Sequence, residues 1–178
     1  KKQRTASPPK LYDLTSLQRD GNRLFGYTAQ QVLDYAQALY EKKLLTYPRT
    51  DSNYLTEDTA ATVPELLEQS VSSLPFSVEV GPTDISRVID ASKVSDHHAL
   101  LPTMQVKQDA LAALPAGERN ILTLVIVRLL CAVSEKQVYE DTAVELDCGG
   151  TSFAAKGRVV TSPGWKAVEQ AFYSTLKQ

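Results

Sequence analysis

The chain has 178 residues, 43% hydrophobic and 22% charged, with a net charge of −2. This is globular composition, long enough for one large domain or two small ones. The charge balance argues against a generic nucleic-acid coat, which is strongly basic, and leaves room for a local basic patch. No apolar run reaches the roughly 18 residues needed to span a bilayer. Cys131 and Cys148 lack metal-ligand spacing. They read as reduced, unpaired thiols of a cytosolic protein.

Residues 1–10, KKQRTASPPK, read as an extended lead-in. Thr15 followed by Gln18 is a capping-box pattern, which predicts a helix starting near Ser16 and ending at Gly26. Gly21 falls inside that helix and weakens it by about 1 kcal/mol relative to alanine. Thr28 and Gln31 repeat the capping pattern and predict a second helix over about 29–43, with Val32, Leu33, Ala36, Leu39 and Tyr40 at helical spacing. Lys42 and Lys43 belong to its last turn, where the helix dipole favours cations. Two short helices joined by a tight turn have a helix-turn-helix pattern. An extended segment and turn follow, and Thr56 is placed to cap a helix over about 57–69. Residues 72–84 read as loop. The next stretch mixes short regular structure with a loop around His97 and His98.

GERNILTLVIVRLLCAVSE predicts one long buried helix. TAVELDCGGTSFAAKGRVV alternates around Gly149-Gly150, a hairpin signal. PGWKAVEQAF predicts a closing short helix. Trp165 and Phe153 read as core residues of the hairpin unit. Both ends of the chain read as cut from a larger protein.

The chemistry concentrates in KLLTYPRTDSNYL, residues 43–55. Pro48 disfavours helical backbone at Tyr47. In extended backbone, side chains at i and i+2 face the same way, which aligns Tyr47 with Arg49. A free phenol, with a pKa of about 10, is a poor nucleophile at neutral pH unless helped. A guanidinium stays charged, forks onto phosphate oxygens and stabilises developing negative charge. The residues by themselves leave a plainer reading open, with Tyr47 at the edge of the core and Asp51-Ser52 as a turn or cap.

LYDLTSLQRDGNRLFGYTAQQVLDYAQALYEKKLLTYPRTDSNYL resembles the tyrosine-bearing region of type IA DNA topoisomerases of the bacterial topoisomerase III kind. LTYPRTDS matches that family's nucleophile motif. SDHHALLPT follows about fifty residues later, and GRVVTSPGW after the hairpin matches a downstream stretch. The resemblance covers nearly the whole chain. Gly21 is a small departure, where the family pattern has alanine.

The resemblance implies three catalytic positions. Tyr47 would attack a DNA phosphodiester and become a 5′-phosphotyrosine. Arg49 would contact the scissile phosphate. His97 would lie near the reacting centre, donating to a phosphate oxygen or the leaving 3′-oxygen, with Asp96 placed to orient its ring. Arg49, Lys93 and His98 are candidate DNA-binding residues. The plain alternative is that His97 and His98 satisfy loop backbone groups. Most of Arg19, Arg23, Lys42, Lys43, Arg49 and Lys93 read as ordinary solvated charges on helix faces, with some placed to track a single-stranded backbone.

No metal-binding residue is expected here. The family's magnesium site needs a separate acidic domain with an Asp-x-Asp pattern, and this chain contains none. No ATP-binding phosphate loop is present. An enzyme that conserves the bond energy as a phosphotyrosyl ester does not need one.

The expected fold is α+β: a mainly helical, helix-turn-helix-like tyrosine domain over residues 15–106, with an arch-domain lead-in over 1–14. Residues 107–178 would return into the arch as a helix, a β-hairpin and a short helix. The resemblance implies an ATP-independent enzyme that cuts one strand, passes another and reseals. Its partners would be single-stranded DNA and the rest of its own polypeptide, in a cytoplasmic monomer. The 178 residues alone would bind DNA weakly and not cleave it. The rival reading is a non-catalytic helix-turn-helix DNA-binding module.

Overall fold

A computed structural model describes residues 1–177. Its axis is helix α6 (Ala116–Val133), which is apolar on nearly every side from Ile121 onward. A helix of that kind needs cover all round. Helices α1 (Leu14–Phe25), α2 (Ala29–Glu41) and α7 (Lys166–Leu176) cover one side. There Leu17, Val32, Leu39, Ile121, Val125 and Phe172 form part of one buried cluster. Helices α3 (Glu57–Ala60) and α4 (Val63–Ser73), with the 3₁₀ turn Ile85–Val88, cover the other. Leu55, Val63, Leu66, Val88, Leu129 and Val133 belong to that second cluster. A short helix α5 (Gln108–Ala112) leads into α6. The apolar core therefore joins residues from both sides of position 106.

Several local expectations shift for physical reasons. Helix α1 begins at Leu14, and its N-cap is Asp13, whose carboxylate accepts from the Ser16 backbone N–H at 2.8 Å. The reciprocal bond, from the Asp13 N–H to the Ser16 hydroxyl, completes a capping box two residues ahead of the Thr15 pattern. The Thr28–Gln31 box forms as predicted. The single helix predicted over 57–69 is two, with Pro64 in the first turn of the second, where its missing N–H costs nothing.

Gly21 is the clearest reversal. It is buried against α2, and a Cβ there would stand 2.7 Å from Val32 Cγ2. Close helix approach, not tolerance of a weak residue, explains the glycine. Gly21→Ala gains up to about 1 kcal/mol of helix propensity but overpacks a site where crowding costs 1–3 kcal/mol. Net destabilisation of about 1 kcal/mol is expected in chemical denaturation. Adding Val32→Ala should recover part of it as a favourable coupling in the double-mutant cycle.

A polar network ties the lead-in to the helices. Tyr12 donates its hydroxyl to Asp20 at 2.6 Å, and the Arg128 guanidinium reaches the same carboxylate at 2.6 Å. That guanidinium lies 4.0 Å from the Tyr12 ring centroid and also donates to the Lys10 carbonyl at 3.2 Å. Burial pushes the Tyr12 phenol pKa up, so it remains a donor.

Strands β1 (Lys2–Ala6), β2 (Gln137–Cys148) and β3 (Thr151–Ser162) form an antiparallel sheet in the order β1-β2-β3. Gly149 and Gly150 both take positive φ, 59° and 87°, as a two-residue hairpin turn of the primed type requires. The base of the hairpin is fixed to the body: the Trp165 indole N–H donates to the Ala6 carbonyl at 3.0 Å. Trp165 is buried, as expected. Phe153 is not a core residue. It lies on the outer half of the hairpin opposite Leu146, 57% exposed, because nothing among the described residues packs there. Cys131 is buried, which pushes its thiol pKa up to about 12, and Cys148 is exposed near the hairpin tip.

Candidate active site

The Tyr47 segment starts from the way α2 ends. Lys43 N–H bonds to the Tyr40 carbonyl at 2.9 Å and Leu44 N–H to the Leu39 carbonyl at 3.0 Å. These are the paired bonds of a Schellman motif, with buried Leu44 and Leu39 supplying its apolar contact. The left-handed position is held by Lys43, at φ 62°, where glycine is usual. A side chain there costs about 1 kcal/mol, and the Thr103 hydroxyl, donating to the Lys43 carbonyl at 2.6 Å, helps hold it. Lys43→Gly is therefore expected to raise unfolding free energy by about 1 kcal/mol, read as a higher denaturant midpoint.

After this turn the chain pairs with the loop that follows the two histidines. Leu45 bridges to Pro102, Thr46 N–H donates to the Leu101 carbonyl, and Leu101 N–H returns to the Thr46 hydroxyl, the last two both at 3.0 Å. Thr50 closes the other end, its hydroxyl donating to the His97 carbonyl at 3.0 Å. Two segments fifty residues apart are thus laced together on both sides of Tyr47.

The lacing brings the Tyr47 and His97 rings to 4.3 Å between centroids, at 39° to one another. Tyr40, on the last turn of α2, meets the Tyr47 ring edge-on at 5.4 Å. Tyr47 is half-buried, while Arg49, Asp51, Asp96 and His97 are exposed. Tyr47 is non-helical, as Pro48 demands, but the chain bends at Pro48. The Thr50 N–H then bonds back to the Pro48 carbonyl at 2.9 Å, turning the chain about Arg49. A turn, not the alternation of a straight strand, sets where Arg49 stands.

Asp96 makes no hydrogen bond to the His97 ring among the described residues. His98 Nδ1 donates to the Ala99 carbonyl at 2.6 Å, a contact within its own loop. Lys93 pairs with Asp90 at 3.2 Å and lies 4.8 Å from the Tyr54 ring centroid. The Asp90 contact keeps the Lys93 ammonium pKa above the usual lysine range, so the charge is secure at neutral pH.

Sequence reasoning missed three contributors. Tyr40 was predicted on a core-facing stripe but is 41% exposed and braces Tyr47. Thr50 and Ser52 are buried, and their hydroxyls bond to loop backbone. Only the threonine and serine spacing within PRTDS hinted at this, and such hydroxyls cap turns everywhere.

The family model for DNA topoisomerase matches residues 1–177. The chain belongs to the DNA topoisomerase family. Its similarity is to bacterial topoisomerase III, the type IA kind. It is 42% identical to DNA topoisomerase 3 of Bacillus licheniformis over 167 residues, which is 90% of this chain and 23% of that protein. It is 41% identical to the Bacillus cereus enzyme over 174 residues, 94% of this chain and 24% of that protein. The chain thus spans about a quarter of the length of these topoisomerases. Full-length topoisomerase I from Thermotoga maritima shares the fold, with a TM-score of 0.66 at 20% identity, over 96% of this chain and 28% of that one. That agrees with the α+β class.

Among the described residues of this topoisomerase segment, no three carboxylate, imidazole or thiol groups cluster as a metal site would require. No helix among them is long and apolar enough to cross a membrane.

Proposed function

We propose that this chain carries the nucleophile of a longer type IA topoisomerase, and that Tyr47 is that nucleophile. The observation that supports this most is the Tyr47–His97 contact, made by two loops laced together on either side of it. In the proposed step the Tyr47 hydroxyl oxygen forms a bond to phosphorus as the bond to the 3′-oxygen breaks. The phenolic proton leaves and the 3′-oxygen gains one, so atoms and charge balance. Resealing runs the exchange backward without ATP.

Ionising a free phenol at pH 7 costs about 4 kcal/mol. A preorganised donor aimed at developing charge is worth about 2.7–4 kcal/mol once water is excluded from the site. Arg49, exposed at the same turn, takes that role when the bound strand covers it, and His97 supplies a proton to the leaving oxygen. Magnesium, where the reaction uses it, would be held by a part of the longer protein outside this chain. The substrate is single-stranded DNA, and the setting is a cytoplasmic, monomeric enzyme that unlinks or relaxes DNA.

The test is covalent capture. The full-length protein, incubated with a labelled single-stranded oligonucleotide and denatured, should retain label on the peptide containing Tyr47. The 178 residues alone should retain none. An adduct on any other residue overturns the assignment. Binding without any adduct favours the non-catalytic DNA-binding module.

A further inference from the structure

A second constellation lies just beyond the Tyr47 turn. Tyr54 is half-buried, with Lys10 Nζ 5.5 Å and Lys93 Nζ 4.8 Å from its ring centroid. The two ammonium groups come from segments more than eighty residues apart and converge on one aromatic ring. Like charges do not gather that way without support, and cation–π attraction supplies only part of it.

The scaffold supplies the rest. Ser52 is buried; its hydroxyl accepts from the Tyr54 N–H at 3.1 Å and donates to the Lys93 carbonyl at 2.8 Å. The Tyr54 carbonyl accepts from Ala99 N–H at 2.9 Å. On the third segment, Asn53 Nδ2 donates to the Leu11 carbonyl at 3.0 Å, and Arg128 donates to the Lys10 carbonyl at 3.2 Å. Every backbone that carries the cluster is pinned. Among the described residues Lys93 has one carboxylate neighbour, Asp90, at 3.2 Å, and both lysines are exposed to solvent.

We propose that Lys10, Lys93 and Tyr54 form a phosphate clamp for the backbone of single-stranded DNA, separate from the reacting centre. A three-donor ammonium binds phosphate as a point charge without reading sequence. Tyr54 holds the two cations in register and offers its hydroxyl as a further donor. Ser52 couples the clamp to the Tyr47 turn, so a strand gripped here is held in fixed relation to the nucleophile. The choice of DNA as ligand rests on the proposed topoisomerase function; the clamp itself rests on the geometry.

The test is salt-dependent binding of a fluorescent oligo-dT to the full-length protein. The double variant Lys10→Gln with Lys93→Gln should flatten the slope of log Kd against log salt by about 1.4, at roughly 0.7 for each phosphate contact on a single strand. The loss should be the same for mixed-sequence oligonucleotides. Lys107→Gln with Lys156→Gln, two exposed lysines outside the cluster, controls for lost net charge and should leave the slope unchanged. Equal slopes in the cluster variant and wild type overturn the proposal, as does an equal change in the control pair. Covalent capture on Tyr47 is scored separately. Capture with an unchanged slope sinks the clamp alone, and a changed slope without capture sinks the nucleophile assignment alone.

Discussion

Tyr47→Phe in the full-length protein is expected to abolish covalent DNA capture while leaving single-strand binding essentially intact. The phenyl ring keeps the packing against His97 and Tyr40 and loses only the oxygen that would bond to phosphorus. Arg49→Ala should slow cleavage by about 10²–10³-fold, the usual loss for one preorganised charged or polar donor. Arg49→Lys should rescue it poorly, because a point charge does not reproduce the planar fork. His97→Ala should cost about 10² or more, the scale of a lost general acid. Single-turnover cleavage of a labelled oligonucleotide measures all four. Full cleavage by Tyr47→Phe would remove the basis of the proposed function.

The second large effect concerns stability. Asp20→Ala leaves the Arg128 guanidinium and the Tyr12 hydroxyl without their shared acceptor in a largely buried setting. Removing one partner from such a set costs about 3–5 kcal/mol. For a chain of this size that corresponds to a fall in melting temperature of roughly 6–20 °C. The triple change Asp20→Leu, Tyr12→Phe, Arg128→Met should be milder, since no buried charge or donor is then stranded: Arg23, which also reaches Asp20 at 3.2 Å, is exposed and keeps its bond to the Tyr173 hydroxyl. A triple variant as unstable as the single one would mean that packing, not charge, sets the cost. Calorimetry or thermal circular dichroism distinguishes the two.

The helices were legible because each has a local cause. The Thr28–Gln31 box and the glycine after Phe25 mark their ends by bonds within a few residues. The long apolar run of α6 could only be buried. The hairpin followed from two adjacent glycines. What stayed hidden depends on partners distant in sequence. Gly21 read as a weak point until Val32 stood against it, and Phe153 read as core until its half of the hairpin projected from the body. The motif residues Tyr47, Arg49 and His97 stood out by their type and spacing. Their support did not, because Thr50 and Ser52 work by bonding to backbone brought in from forty or more residues away.

The outer half of the hairpin carries a cost that the fold does not recover by itself. Val144, Leu146 and Phe153 wet a stripe of hydrocarbon along one face, and among the described residues β1 and β3 each leave a rim of amide groups with no neighbouring strand. Water solvates those amides adequately but gains nothing from the hydrocarbon. Shielding this stripe from water would therefore stabilise the hairpin in proportion to the hydrocarbon area removed.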